Sequence, residues 1–381
     1  MHPWLTEEHT MIRDAVRRFA ERDIAPISEE LWEEQGFPYD VWRQAGELGF
    51  TGLPYPEAYG GGGGSWLSFV IVLEELARVD CAVANSLMAN SSVASLLHNF
   101  GNPAQKEKFL QPILDGSRIG SIALTEPNAG SDAGAIQTRA TRVGGGWVIN
   151  GAKIFISNSG TEVTGPVVLA AATGKKADGR NEISNIIVPN GTPGFTYGKK
   201  LKKIGWRASS TYELFFDNCR VPAENLLGTQ GSGLRQTLST INTGRILIGA
   251  MALGILQGSL DRATAYMKDR SQFGKPIASF QALQFKLADM AVNTHAARLM
   301  LYQAAALKDE GRPFDQEASM AKLFATERAM EAAHQAVQIH GGYGIMSEYP
   351  VSRAFGDAKV LEIVEGTSEI QRMIISRALL N

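Results

Sequence analysis

The spacing of apolar residues changes twice along these 381 residues. In segments 5–24, 40–49, 66–79 and 83–100 apolar side chains recur every three to four positions, the repeat that gives an α-helix one buried face. Between 121 and about 226 the period shortens. "GWVINGAKIFIS", "PVVLAAAT", "EISNIIVP" and "YELFFDNCRVP" are short runs rich in β-branched and aromatic residues, bounded by Gly, Asn and Pro. Asn150-Gly151 in the first run predicts a two-residue hairpin. The helical repeat returns over 233–270, 281–310 and 316–340, and a last helix is expected from 368. The pattern predicts an α+β chain in three parts: an all-α domain over 1–120, an antiparallel β domain over 121–228 and a helical bundle over 229–381.

Four local features interrupt these patterns. Gly60 to Gly64 predict a flexible loop, since neither a strand nor a Lys-Ser/Thr pair supports a phosphate cradle there. Leu234, Leu238, Ile241, Arg245, Ile248, Ala252 and Ile255 form a helical seam with one cation in it, which calls for either a salt-bridge partner or an anionic ligand. Gly244, Gly249, Gly254 and Gly258 lie along the same helix and imply close packing or room for a ligand. At 364–371, "VEGTSEIQ" sets Glu365 beside Gly366 in a turn. Ser368 and Gln371 have the spacing of a capping box behind that turn, and Glu369 suits the first helical turn.

Composition removes several classes of function. Thirty-seven Lys and Arg against 39 Asp and Glu give a net charge of -2, which argues against a nucleic-acid binder that neutralises phosphates. Cys81 and Cys219 cannot make a disulfide framework and have no metal-ligand spacing, so reduced thiols and no metal are expected. Residues 1–20 have mixed charge, unlike a signal peptide, and the longest apolar stretch, Ile246 to Leu256, falls short of the roughly 20 residues of a membrane span. A cytoplasmic protein without a membrane partner is the expectation.

Candidate chemistry sits in the junctions. "IALTEPNAGSD" (122–132) is a strand-like start and a turn crowded with hydroxyls, with "KIFISN" (153–158) expected alongside. "RSQFGKPI" (270–277) puts a cation, an aromatic and a turn just past a helix. In "QIHGGYG" (338–344) paired glycines either cap a helix or let a diphosphate approach the backbone. With "GAKIFISN", "QAVQIHGGYG" and "VEGTSEIQR", these pieces in this order resemble the acyl-CoA dehydrogenase family along the whole chain, nearest its short-chain, butyryl-type branch.

The resemblance implies a C-terminal four-helix domain, a homotetramer built of dimers, and noncovalent FAD. It implies flavin contacts from Ile122, Leu124, Thr125 and Ser131 and from Phe155, Ile156 and Ser157. Arg270, Phe273 and Gln281 would hold the pyrophosphate and adenine side. Gln338, Gly341 and Gly342 would reach FAD across a dimer interface, and Thr367 and Glu369 would complete the site. Glu365 would remove the α-proton of an acyl-CoA while the β-hydrogen leaves as hydride, yielding the trans-2-enoyl-CoA. Arg245, Ser131 and Gly366 would bind substrate, and an electron-transferring flavoprotein would accept the electrons. Branches without this glutamate carry it just before the helix arginine, where this chain has Gly244.

Two residues depart from the family pattern: Phe155 stands where Trp is usual, and Val364 where Tyr is common. The stretch "NSLMANSSVASLL" (85–97) has no cation for a distal carboxylate, which disfavours a dicarboxylic substrate. An acyl-CoA oxidase using oxygen, or a non-dehydrogenating flavoprotein of the same fold, are the alternatives.

Overall fold

Thr6 starts the first helix by a closed capping box with His9, and α1 (Glu7–Phe19) leads into α2 (Ser28–Glu34) and α3 (Tyr39–Glu47). The computed structural model describes residues 4–380. Ser65 caps α4 (Trp66–Val79), and Asp80 accepts from the Ala82 and Val83 N–H groups to cap α5 (Cys81–Phe100). Both helices are buried over nearly their whole length, so neither shows a narrow apolar stripe. The short α6 (Pro103–Gln105) and α7 (Gln111–Leu114) complete the helical part.

The loop of five glycines is not slack. The N–H groups of Gly60 to Gly64 all donate to carbonyls between Gly52 and Glu57, at 2.8 to 3.1 Å. A Cβ on Gly61 would lie 2.2 Å from the Tyr55 carbonyl oxygen, so bare backbone is what lets this strap close.

The middle part comprises β1 (Ile119–Ala123), β2 (Arg139–Val143), β3 (Gly146–Ser157), β4 (Thr164–Lys175), β5 (Asn181–Val188), β6 (Phe195–Lys200), β7 (Thr211–Pro222) and β8 (Leu226–Leu227). They form one sheet in the order β6-β7-β3-β2-β4-β5-β8, with β1 beside β4. Most pairings are antiparallel, but β1 and the start of β2 run parallel to β4. Along β4, Val167, Leu169 and Ala171 enter the sheet's own core, while Val168 meets Val93, Leu97 and Ile113 of the helical part. This alternation gives the sheet a second face against the helical part, and β1 attaches it to α5 through the Gly120 N–H donating to Asn90 Oδ1. Asn150-Gly151 does not turn the chain. β3 runs straight through it, and the hairpin closes at Gly144-Gly145 instead. Gly151 marks a bulge where a Cβ would come 2.6 Å from Thr138, so tertiary contact overrides the local turn signal.

The last part holds α8 (Gly233–Asp269), a small hairpin of β9 (Ser271–Gln272) and β10 (Lys275–Pro276), α9 (Gln281–Asp309), α10 (Asp315–His340), α11 (Pro350–Leu361) and α12 (Ser368–Leu380). α11 is a helix that the apolar pattern did not mark. α8 has the length and hydropathy of a membrane span over an 18-residue window, yet 78% of that window is buried within the fold. The seam holds only from Arg245 onward: Leu238 is 44% exposed, and the first turns bury Gln236, Thr237 and Thr240, with Thr237 bonded to Asn185 of β5. Close packing explains three of the helix glycines. A Cβ on Gly249 would lie 2.3 Å from Leu301, on Gly254 2.4 Å from the Glu74 carbonyl, and on Gly258 2.6 Å from the Arg78 carbonyl. α8 thus rests on α4 almost backbone to backbone, and Gly249 leaves room for the Leu301 side chain of α9.

Candidate active site

Past the end of α11 the chain turns sharply before α12. Glu365 (φ 53°) and Gly366 (φ 89°) both adopt left-handed backbone, an unusual conformation for a glutamate. Thr367, not Ser368, caps α12: its Oγ1 accepts from the Ile370 N–H and its carbonyl from the Gln371 N–H. Gln371 is fully buried, and its Nε2 turns back to donate to the carbonyls of Glu365 (3.1 Å) and Gly366 (2.8 Å). The Ser368/Gln371 spacing therefore reports a turn brace rather than a capping box. What demands glycine at 366 is its left-handed φ and the Gln371 amide, which would lie 2.8 Å from a Cβ.

From below, the Nζ of Lys322 donates to the Gly366 carbonyl at 2.9 Å and approaches the Glu362 carbonyl at 3.4 Å. From α8, Gly244 meets the Glu365 carboxylate: a Cβ there would lie 2.9 Å from both Cδ and Oε2. Arg245 is 6% exposed, its Nη1 donates to Asn242 at 2.5 Å, and among the described residues it has no ion pair. The salt-bridge reading of that arginine is not what the fold shows. Asn242 in turn donates to Asp315 at 2.6 Å.

Burial pushes the Glu365 carboxyl up to about 7, with Arg245 and Lys322 pulling the other way. Its Oε2 is covered and has no hydrogen-bond partner, nor do the Arg245 Nε, Ser368 Oγ and Gln371 Oε1. Buried polar atoms in native proteins are nearly all paired, so orphans grouped at one turn fit a site completed by a ligand. The Glu365 N–H also lacks a partner among the described residues, which leaves one backbone donor beside the carboxylate.

The loop at 122–132 is pinned by a buried pair. Lys153, wholly buried, donates to Glu126 Oε1 at 2.8 Å and to the Leu124 carbonyl at 2.9 Å. Glu126 also accepts from the Gln137 and Thr138 N–H groups. Burial pulls the Lys153 ammonium down to about 8 even with that partner. The Ile154 N–H donates to the Thr125 carbonyl, so β3 and the loop lie side by side as their sequences suggested. A bulge between Lys153 and Ile156 turns Phe155 outward, at φ 62° and 63% exposed. Ile156 points the other way, into the sheet core at 2% exposure, and its side chain is not available to a ligand. Ile122, Leu124, Thr125 and Ser157 are half-buried and Ser131 is exposed.

A second group forms elsewhere. The Arg270 guanidinium lies over the Tyr343 ring at 5.8 Å, which joins the β9–β10 hairpin to the turn after α10. Phe273 (φ 53°, 92% exposed) tips that hairpin, and Gln281, Gln338, Gly341 and Gly342 are exposed. Gly341 ends α10 with φ 60° and both glycines have open space where a Cβ would stand. The paired glycines thus satisfy both readings at once: a helix cap with unobstructed backbone. Thr367 and Glu369 sit at the α12 start, Glu369 exposed.

Models of the acyl-CoA dehydrogenase N-terminal, middle and C-terminal domains match residues 6–117, 121–219 and 231–380. The chain belongs to the acyl-CoA dehydrogenase family. It is 49% identical over 377 residues to the probable acyl-CoA dehydrogenase YngJ of Bacillus subtilis, covering 99% of each chain. Butyryl-CoA dehydrogenase from Megasphaera elsdenii is similar at 43% identity and TM-score 0.95, over 99% of each chain. So is a chain from structural work on the electron transferring flavoprotein of Acidaminococcus fermentans and flavin-based electron bifurcation, at 44% identity, TM-score 0.96 and full coverage of both. As an acyl-CoA dehydrogenase, this chain is an FAD-dependent oxidoreductase that acts on the CH–CH bond of acyl-CoA thioesters.

The residues present fit the dinucleotide. The exposed Phe155 ring and the half-buried Thr125 and Ser157 hydroxyls line one edge, and the Arg270 patch offers a cation, an aromatic and open glycine backbone. Lys322 and Asn242 carry much of the site's geometry and lie outside the motifs; Lys153 and Glu126 stand within motifs without being singled out, and Gln371 was read for a different task. A signal existed for one: Lys322 stands four residues after Ala318 and three before Ala325, on the buried alanine face of α10.

Proposed function

We propose that Glu365 removes the α-proton of a short, saturated acyl-CoA, and that the orphaned polar atoms around its turn are completed by thioester and flavin. One observation carries the reading: a carboxylate with a covered, unpartnered Oε2 sits on a left-handed turn whose own N–H is free. An α-proton beside a thioester yields to a carboxylate only if charge on the thioester oxygen is stabilised, and the unpartnered Glu365 N–H is the donor for it in this reading. A proton affinity near neutrality matches a general base working at cellular pH. Bound FAD supplies the acceptor for the β-hydride. Gly244 gives the carboxylate room, and Arg245 faces the same space with an unpaired Nε for substrate.

The short-chain preference rests on the likeness to butyryl-CoA dehydrogenase and on α5, whose residues 85–97 are nearly all buried and include no cation. Electrons pass to an electron-transferring flavoprotein in this reading, supported by the likeness to the chain from that flavoprotein's structural work, with the exposed Phe155 at the flavin edge. Free, buried Cys81 and Cys219 fit a reducing compartment, the cytoplasm.

The homotetramer, or at least a dimer, has a geometric argument. Arg245 lies at the base and Arg270 just past the end of the same helix, 25 residues further on, about 37 Å along the axis at 1.5 Å per residue. That exceeds the reach of one FAD, so the Arg270–Tyr343 patch serves the flavin of another subunit.

Anaerobic titration of the bound flavin with butyryl-, isobutyryl-, glutaryl- and palmitoyl-CoA tests the substrate. Butyryl- or isobutyryl-CoA should bleach the yellow band and glutaryl-CoA should not. Faster bleaching by palmitoyl-CoA would overturn the short-chain assignment. Glu365→Gln should retain FAD and lose bleaching by at least about 10²-fold.

A further inference from the structure

Lys322 is wholly buried, has no carboxylate within ion-pair distance among the described residues, and is bound only to main-chain carbonyls. A bare ammonium in such a place is costly unless its charge does something. Its neighbours show what. α10 presents Ala318, Ala321 and Ala325 to the interior, and Lys322 reaches from among them to the underside of the Glu365–Gly366 turn. The charged groups facing it are Glu365, Glu362 and Glu369 from the turn and α12, and Arg245 from α8, itself faced by Asp315.

We propose that Lys322 is a positioning residue of the reaction: its ammonium clamps the Gly366 carbonyl and, from beneath, holds the Glu365 carboxyl in its ionised, proton-accepting form. The two tasks reinforce each other. The clamp, with the Gln371 brace, keeps a left-handed turn that would otherwise relax, and so keeps the carboxylate against Gly244 and its N–H free. The charge offsets part of the desolvation that raises the carboxyl's proton affinity, alongside Arg245. Desolvation pulls the Lys322 ammonium down to about 8, so this support is present at neutral pH and fades as pH rises past 8, where Glu365 no longer needs it.

The proposal rests on Glu365 being the base, and the experiment separates the two. Lys322→Gln can still donate to Gly366 but has no charge; Lys322→Met has neither; Lys322→Arg keeps the charge. The rate of flavin bleaching by butyryl-CoA divided by its dissociation constant is measured for each FAD-loaded protein from pH 5.5 to 9.5. For Lys322→Gln and Lys322→Met the acid limb should move to higher pH. Half a pH unit makes the loss at pH 6 about threefold larger than the loss at pH 9. Lys322→Arg should keep the wild-type limb. Equal losses at every pH, or a limb that moves as far in Lys322→Arg as in Lys322→Gln, would overturn the proposal while a dead Glu365→Gln leaves the base assignment standing. Turnover in Glu365→Gln would remove both. If Lys322→Met does not hold FAD, the Gln and Arg pair still decides the matter.

Discussion

Replacing Glu365 by Gln tests burial of the proposed base by a route independent of catalysis. Burial, the first cause, pushes the native carboxyl up to about 7 from about 4.5 for the ordinary group. A raised carboxyl pKa means that the folded protein holds a proton which the unfolded chain has released. Between about pH 4.5 and 7 the wild type therefore loses stability as pH rises, the reverse of a salt-bridged carboxylate. The full cost is the pKa difference of about 2.5 units, roughly 3 kcal/mol as an upper figure. Gln carries no such cost at any pH. FAD-loaded wild type and Glu365→Gln should thus unfold at similar urea concentrations at pH 5, and Glu365→Gln should be the more stable at pH 8. The same ionisation governs activity in the other direction. In free enzyme about a tenth of Glu365 is ionised at pH 6 and nine-tenths at pH 8, so kcat/KM for butyryl-CoA should rise about tenfold over that interval. Stability curves that stay parallel from pH 5 to 8, together with an acid limb near 4.5, would refute the picture of a desolvated carboxylate.

Moving the base is a second test: Glu365→Gly with Gly244→Glu should recover part of the bleaching rate lost in Glu365→Gly. With Gln at 365 the same insertion should do worse, since a Cβ at 244 would press on that side chain at 2.9 Å. Gly254→Ala should lower the thermal midpoint more than Gly249→Ala, because a Cβ at 254 meets the Glu74 backbone at 2.4 Å whereas 249 meets only the tip of Leu301. Overpacking typically costs about 1–3 kcal/mol. Lys153→Met should cost about 3–5 kcal/mol by stranding the buried Glu126, and flavin content should fall with the loop it pins. Arg270→Glu should reduce both flavin content and the oligomer seen by gel filtration if, as proposed, Arg270 holds the pyrophosphate, because it puts a negative charge there.

The helices around the site were readable because their repeat reflects burial on one face, and α8, α9 and α10 begin and end within a residue or two of where the pattern puts them. Glu365 stood out as a candidate because a glutamate beside glycine at a helix entrance is chemically specific once the family motifs surround it, and the fold sets it on a left-handed turn with an unpartnered Oε2. What escaped depends on distant partners. Asn150-Gly151 has the composition of a turn, but Thr138 packs against its backbone and β7 continues beside it. Gly60 to Gly64 look slack in isolation and are strapped by carbonyls of 52–57. Ser368 and Gln371 have the right spacing for one motif, while the left-handed turn beside them recruits Gln371 for another. Lys153 and Lys322 look like ordinary surface lysines until the fold supplies Glu126 for one and two carbonyls for the other.

Because the carboxylate rests on the bare backbone of Gly244, a side chain at 244 and the Glu365 carboxylate compete for one space. That sets a rule for how such an enzyme can change over generations. An acid gained first at 244 crowds the working base and puts two like charges together; an acid lost first at 365 leaves no base. Either single step is a deep loss, and only the pair restores function. With Glu365 as the proposed base, an enzyme with its base on the turn and one with its base on the helix would be neighbours in structure but separated by a valley in sequence. Each is held in place by the residue it cannot tolerate at the other position.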